Sequence, residues 1–423
     1  MPADVIIDPP LEDPSNRSRS RFGALAYREF RLLWSGLIIS NTGSWMQYLA
    51  QGWLVVELAS SARQGALYLG LVGLVRAAPV LLLSGFAGTL ADRMDRRRIL
   101  VIAQAVMGMS ALILGLLVQF GVARIWEVMI VAAISAAGAS FDAPTRQSLV
   151  PLIVEKRDLM NAIGLNSAAF NGPAIIGPAI AGVLVASIGI APCFFINAAS
   201  YVAVIVAIWM MTPKPPIADD HRPGVWHEMI AGVRYMHGSG APFAILMLST
   251  IFAIVARPYI QLLPAFAKGV IGGGPATLGY LGSAAGAGAL CGSIATAFIG
   301  WRRHRGKLLL CCAAGSGLAL AAFGSTHTLV AAATSLVLLG GFTMLFMGMA
   351  NTLLQTYTRI EMRGRVMALY TMTFLGLMPL GTWVLGSAAS LSSLPSTFIA
   401  AGCLIVAVAI AAAYRAVDLR RLD

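Results

Sequence analysis

Two arginines, Arg76 and Arg257, stand inside long apolar runs. A charge in that position is costly in a bilayer and is usually kept for a task. A guanidinium there offers a fork of donors to an anionic or polar substrate; its other possible role is to snorkel or to meet helix-end carbonyls. A further run, about 31–56, carries Asn41, Trp45, Gln47, Tyr48 and Gln51. Asn41, Trp45 and Tyr48 follow i, i+4, i+7 spacing and share a helical face, with Gln47 and Gln51 on the adjacent one. With Gln261, from the stretch V-A-R-P-Y-I-Q-L-L-P around Arg257, these are the candidate substrate-binding residues. Acids are scarce where they would matter most. No Asp or Glu lies deep in an apolar run. A proton-coupled carrier needs a group that titrates, and Glu57, Asp92 and Asp142 are the acids that could serve, with Glu57 and Asp142 as the coupling candidates.

Other chemistries lack their residues. There is no phosphate-cradling G-x-x-x-x-G-K-[ST] to hydrolyse ATP, no Ser-His-Asp set and no H-E-x-x-H. The chain is therefore not expected to be an enzyme, and no cofactor is implied. His221, His227 and His237 lack metal-ligand spacing and read as solvated surface, so no metal site is expected. Cys193, Cys291, Cys311, Cys312 and Cys403 all fall in apolar runs without C-x-x-C spacing, which reads as buried, inert thiols.

These residues must be positioned by membrane helices. The 423 residues are 58% hydrophobic and 11% charged, with mean hydropathy +0.79, more apolar surface than a soluble fold can hide. About 20 apolar residues span a bilayer core, and the runs predict an all-α polytopic protein. Spans are expected near 31–56, 66–90, 99–120, 126–141, from 159, 191–211, 242–263, 276–299, 308–323, 329–353, after 365, and 396–414. Small residues Gly164, Ala168 and Gly172, then Pro173 and Pro178, predict close packing and a bend in the fifth. Residues 1–29 read as a polar tail that is not a signal peptide, 30–212 as one six-helix half, and 213–240 as a linker ending in an amphipathic helix. Residues 241–415 form the second half, and 416–423 a short tail.

A shift of 209 residues places Gly70 on Gly279, Arg93 on Arg302, Arg96 on Arg305 and Arg98 on Lys307, while Asp92 falls on Trp301. This is a parallel repeat. Of the 30 Lys and Arg, 25 fall on one side of the expected topology, against Arg63, Arg124 and Lys268 on the other. That bias puts both termini in the cytoplasm. The net charge of +12 is thus spread over short loops, which argues against a nucleic-acid partner.

The run G-F-A-G-T-L-A-D-R-M-D-R-R-R-I-L, 85–100, joins the second and third spans. It resembles the G-x-x-x-D-R-x-G-R-R loop of the major facilitator superfamily through Gly88, Asp92, Arg93, Arg96 and Arg97, with Asp95 where that family most often has glycine. The L-A-D-R-x-D-R-R-R form is similar to the branch holding the enterobactin exporter and the macrolide-efflux proteins. The resemblance implies twelve transmembrane helices in two six-helix pseudo-repeats and alternating access in a bacterial inner membrane. It also implies export of a small amphipathic molecule, siderophore-like or drug, against protons, by a monomer surrounded by lipid. Gating falls to Gly88, Asp92, Arg93, Arg96 and Arg97, with Asp92 meeting the segment at Arg365 and Arg96 pairing with Asp142. Import of a nutrient, lipid flipping and a non-transporting sensor are the alternatives.

Overall fold

The computed structural model describes residues 23–211, 232–299, 304–415 and Leu419, and it is helical throughout. The helices are α1 (Arg28–Glu57), α2 (Ala62–Arg93), α3 (Arg96–Gln119), α4 (Ile125–Ile153), α5 (Leu159–Asn171), α6 (Pro173–Ile188) and α7 (Ala191–Trp209). They continue as α8 (Ala241–Val255), α9 (Tyr259–Gly269), α10 (Pro275–Ile299), α11 (Arg305–Gly324) and α12 (Leu329–Tyr357). The last are α13 (Ile360–Met372), a π-turn (Thr373–Leu377), α14 (Met378–Leu391) and α15 (Leu394–Arg415). Among the described residues ten stretches are long and apolar enough to cross a membrane, with α5–α6 and α8–α9 each counting as one. Neither α1 nor the rod from Ile360 to Leu391 is among them.

Packing repeats along the chain. Helix α2 lies on α4, α3 on α4 and α7, and α1 on α6 and α7. Likewise α10 lies on α12, α11 on α12 and α15, and α8 on α14 and α15. The two sets meet along α2–α14 and α6–α10. Gly70 and Gly279, aligned by the 209-residue shift, sit one at each meeting line. A Cβ at Gly70 would lie 3.1 Å from Trp383 Cα, and one at Gly279 would lie 2.8 Å from Gly182 Cα. Only small residues let two backbones approach so closely. The expected close contact through Gly164 and Gly172 is not the one formed. Gly164 has no neighbour within 4 Å, and Gly172 meets only the Ala168 carbonyl. The contact is made one helix later, by Gly177, Pro178 and Gly182 against Trp45 and the glycines of α10.

Prolines set the breaks. Pro173 lacks an N–H, so the Ala169 carbonyl loses its helical donor. Asn41 Nδ2 replaces it at 2.9 Å. Pro258 separates α8 from α9, and Gly381 of α14 packs directly on the freed Ile254 carbonyl. Pro144 does not end α4, which was expected to stop near Phe141. Asp142 and Arg146 pair across the proline, one turn apart. Consequently Asp142 lies within α4 rather than at its end, and Arg146 is buried rather than part of a loop.

The end bearing the loop at Asp95 is basic. Asp95 caps α3 through Arg97 N at 2.9 Å. The Arg97 guanidinium donates to the Ile208 and Trp209 carbonyls at 2.9–3.2 Å, placing a cation on the C-terminus of α7. Tyr27 donates to Asp158 Oδ2 at 2.8 Å, and desolvation, reinforced by that carboxylate, pushes its phenol above the usual range. The lateral surface is apolar, with Ile102, Val183 and Leu404 exposed. Cys291, Cys311 and Cys403 are on it, which corrects the expectation of five buried thiols; Cys193 and Cys312 are buried. The linker helix expected after 224 falls mostly outside the described residues; 232–237 is helical.

Candidate substrate cavity

The polar face of α1 does not meet lipid. It borders a cavity closed by α2, α6, α9 and α10, lined by Trp45, Tyr48, Gln51, Gly73, Arg76, Pro178, Gln261 and Pro264 among others. Glycines bring the walls together. A Cβ at Gly52 would lie 2.7 Å from Pro264, one at Gly73 3.1 Å from Gln261 Oε1, and one at Gly177 2.5 Å from Trp45 Cβ. The Trp45 and Tyr48 rings meet edge to face at 5.8 Å. Free space amounts to about 50 Å³. A single water needs roughly 10–15 Å³ on such a measure, so a few waters fit and a drug-sized molecule does not.

The polar atoms here are not consumed by the fold. Gln51 is 6% exposed, and its Nε2 has no hydrogen-bond partner. The Tyr48 hydroxyl, beside Gln261, makes no well-formed hydrogen bond. Arg76 lies over the Tyr48 ring, 5.7 Å from its centroid. Arg257 occupies the break between α8 and α9, its backbone N–H reaching back to the Phe252 carbonyl at 3.2 Å. Its Nε is buried and unpartnered. Among the described residues neither arginine has an acidic partner, and no acid lines the cavity. A buried polar group left unpaired costs free energy, and Gln51 Nε2 and the Tyr48 hydroxyl carry that cost at the cavity wall.

A second, polar recess opens on the other side of Arg76, between α1, α2, α4 and α7. There Asn197 Nδ2 donates to Gln47 Oε1 at 2.6 Å, and Ser44 and Tyr201 share a hydrogen bond at 3.1 Å.

The remaining candidates are placed elsewhere. Asn41 is committed to the Ala169 carbonyl. Glu57 is exposed at the end opposite the basic one and accepts from Trp53 Nε1 at 2.6 Å. Asp142 is 6% exposed and held by Arg146 and by Gln104 Nε2, the latter at 2.7 Å. Arg96 was expected as its partner; Arg146, four residues along the same helix, takes that place. Arg365 stands beside Gly232, with Nη1 3.3 Å from Met362 Sδ. Gly88, Asp92 and Arg93 belong to α2, but the expected gate contacts of their side chains lie outside the described residues.

Sequence reasoning passed over Arg146, Gln104, Asn197 and Lys268. The i, i+4 spacing of Asp142 and Arg146 was visible but hidden by ending the helix near Phe141. Lys268 Nζ, at the non-basic end, donates to the Val56 carbonyl at 3.3 Å and lies 5.9 Å from the Trp53 ring, joining α9 to α1.

The transmembrane secretion effector family model matches residues 19–423. Macrolide efflux protein A of Streptococcus pyogenes is 23% identical over 390 residues, covering 90% of this chain and 94% of that protein. Enterobactin exporter EntS of Shigella boydii serotype 4 is 23% identical over 328 residues, covering 77% and 74%. A bacterial homologue of the human lysosomal transporter Spinster, solved inward-facing and unoccupied, shares the fold with TM-score 0.70 and 14% identity over 93% of this chain and 98% of that one.

Proposed function

The chain belongs to the transmembrane secretion effector family, membrane transporters of the major facilitator type rather than enzymes, and from that premise we propose that it exports a small amphipathic molecule, a siderophore-like compound or a drug, by alternating access. The observation that carries this reading is the cavity at the meeting of the two helix sets, with Arg76 and the orphaned polar atoms of Tyr48 and Gln51 in its wall. Polar groups of that kind in mid-membrane line substrate paths. Its small volume and the Lys268–Val56 contact support a carrier closed at the non-basic end.

Twelve spans follow if α1 and the α13–α14 rod join the ten apolar ones. Both carry more polar residues, as helices that border a path should. The halves are 30–212 and 241–415. The bias of Lys and Arg toward the basic end supports cytoplasmic termini in a bacterial inner membrane. Protons are the coupling ion in this reading. Asp142 is the acid buried within a membrane helix among the described residues, so it is their carrier. Trp45, Gln51, Arg76, Arg257 and Gln261 contact the substrate, and Asp92 with Arg93 closes the basic end. A monomer suffices for this reading.

Membrane vesicles of both orientations test the direction. Energised inside-out vesicles containing the chain are expected to accumulate a labelled macrolide or enterobactin, and Gln51→Ala to lower that accumulation. Accumulation confined to right-side-out vesicles would make the protein an importer.

A further inference from the structure

Resting on the transporter reading above, we infer that the substrate is an oxyanion carried on an apolar body, with its charged group held by Arg76 at the cavity wall and drawn by Arg257 in the adjoining helix break.

The charge inventory leads to this. Arg76 comes from α2 in one helix set and Arg257 from the α8–α9 break in the other. Arg76 lies over the Tyr48 ring, and Arg257 stands three residues before Ile260 of the cavity wall, its charge also felt at Tyr48. Neither has an acidic partner among the described residues, and the cavity wall holds no Asp or Glu. Elsewhere the chain does pair its buried cation, Arg146, with Asp142 and Gln104. Two guanidiniums left without a carboxylate in a membrane interior are therefore a fixed positive site. Guanidinium forks bind carboxylate, phosphate or phenolate oxygens with two parallel donors, and a cation would meet repulsion there.

The neighbouring donors fit the same ligand. Gln51 Nε2 is a buried donor without an acceptor, and Gln51 is more than nine-tenths buried. The Tyr48 hydroxyl is a second donor without a well-formed bond. An oxyanion supplies acceptors to all of them; an ammonium supplies none. The rest of the wall, Trp45, Leu49, Leu69, Val72 and Pro264, is apolar and takes the body of the molecule.

Three probes of one shape separate the possibilities: 2-naphthoate, 2-naphthamide and 2-naphthylmethylammonium. Affinity is read from the concentration dependence of thermal stabilisation of the full chain in lipid nanodiscs. Naphthoate is expected to bind about tenfold or more tightly than the amide, with the ammonium weakest. In R76Q/R257Q the naphthoate affinity is expected to fall by about 100-fold and its advantage over the amide to be lost. Equal affinity for the three probes, or preference for the ammonium, overturns the inference. That ranking needs only the wild-type chain, so poor folding of the variant does not shelter it. If the amide or ammonium binds and Gln51→Ala abolishes the binding, the cavity stands as the substrate site and the anion alone is refuted. If none of the three binds, both fall.

Discussion

Removing the Asp142 carboxylate tests whether the pair in α4 is structural or carries protons. Asp142 and Arg146 are each 6% exposed, and Gln104 Nε2 reaches the same carboxylate at 2.7 Å. Asp142→Asn leaves Arg146 buried without its counter-charge, with the Phe170 ring 5.0 Å away as its other neighbour. Breaking one side of a buried pair costs about 3–5 kcal/mol, mostly from the stranded charge. Arg146→Gln strands Asp142 instead and should cost a similar amount. If the two effects were independent, the double variant would lose about 6–10 kcal/mol. Asp142→Asn with Arg146→Gln strands no charge, so its loss is expected near that of either single change or below it. The coupling energy is then about 3 kcal/mol or more. Equilibrium unfolding of the purified chain in mixed detergent and SDS micelles, followed by far-UV circular dichroism, gives the three values. Additive losses would refute the pairing as an energetic unit. The double variant also separates function from folding. If Asp142 carries protons, it folds but its transport no longer responds to an imposed pH gradient; an unchanged response would remove Asp142 from the coupling path.

Lys268→Met removes the cation from the α1 terminus and from the Trp53 face. Each of those contacts is worth up to about 1 kcal/mol, and the exposure of Lys268 takes the total to about 1 kcal/mol. The non-basic end should open about fivefold more often, read as a longer-distance population between spin labels at Ser60 and Gly274; an identical distribution counts against the latch. Asn41→Leu should lower stability by about 1–3 kcal/mol by orphaning the Ala169 carbonyl. Adding Pro173→Ala, which restores a backbone donor to that carbonyl, should recover part of the loss in a thermal denaturation series, and no recovery would disprove the assignment. Gly182→Leu pushes a side chain against Gly279 Cα, 2.7 Å from the new Cβ. It should cost about 1–3 kcal/mol and abolish vesicle transport, because α6 and α10 can no longer lie in contact; full transport would mean that they separate freely.

Much of the architecture was readable because hydropathy and proline act locally. Apolar runs gave the helices to within a few residues at most ends, as at Leu159, Ala191 and Leu329. The errors arose where tertiary partners overrode a local rule. Pro144 looks like a helix end, yet α4 runs on because Asp142 and Arg146 bridge it. Gly164, Ala168 and Gly172 have the spacing of a packing face, but spacing does not say which neighbour a face will meet. For the candidate site, Trp45, Tyr48, Gln51 and Arg76 were singled out by polarity inside apolar runs and Gln261 with the stretch around Arg257, and the structure brings these five, though not Arg257, to the wall of one cavity. Asn41 belonged to the same pattern and is spent on a carbonyl. Only the structure separates the two cases, because the orphaned acceptor at Ala169 lies 128 residues away.

The irregular backbone and the polar cavity have a common cause. Helices with freed carbonyls are tolerated in a membrane only where protein or a water-filled space covers them. Here the α5–α6, α8–α9 and α13–α14 breaks all fall on rods that meet the other helix set or border the cavity. Arg257 sits in one such break, and Asn41 repairs another. The acid is held apart from these cations: Asp142 and Gln104 join α4 to α3, whereas Arg76 faces the cavity. Arg76 also borders the recess of Ser44, Gln47, Asn197 and Tyr201, and that tyrosine feels the charges of both Arg76 and Asp142. In the proposed reading Arg76 serves the substrate and Asp142 the proton, and the recess at Arg76 is the route proposed to couple them. Tyr201→Phe, which deletes its hydrogen bond with Ser44 and leaves the ring packing, is the smallest change that interrupts it. The expected result is transport that persists at a lower rate but loses part of its dependence on the pH gradient. Transport with an unaltered gradient dependence would show that the recess is packing and that the two charges are coupled by another route.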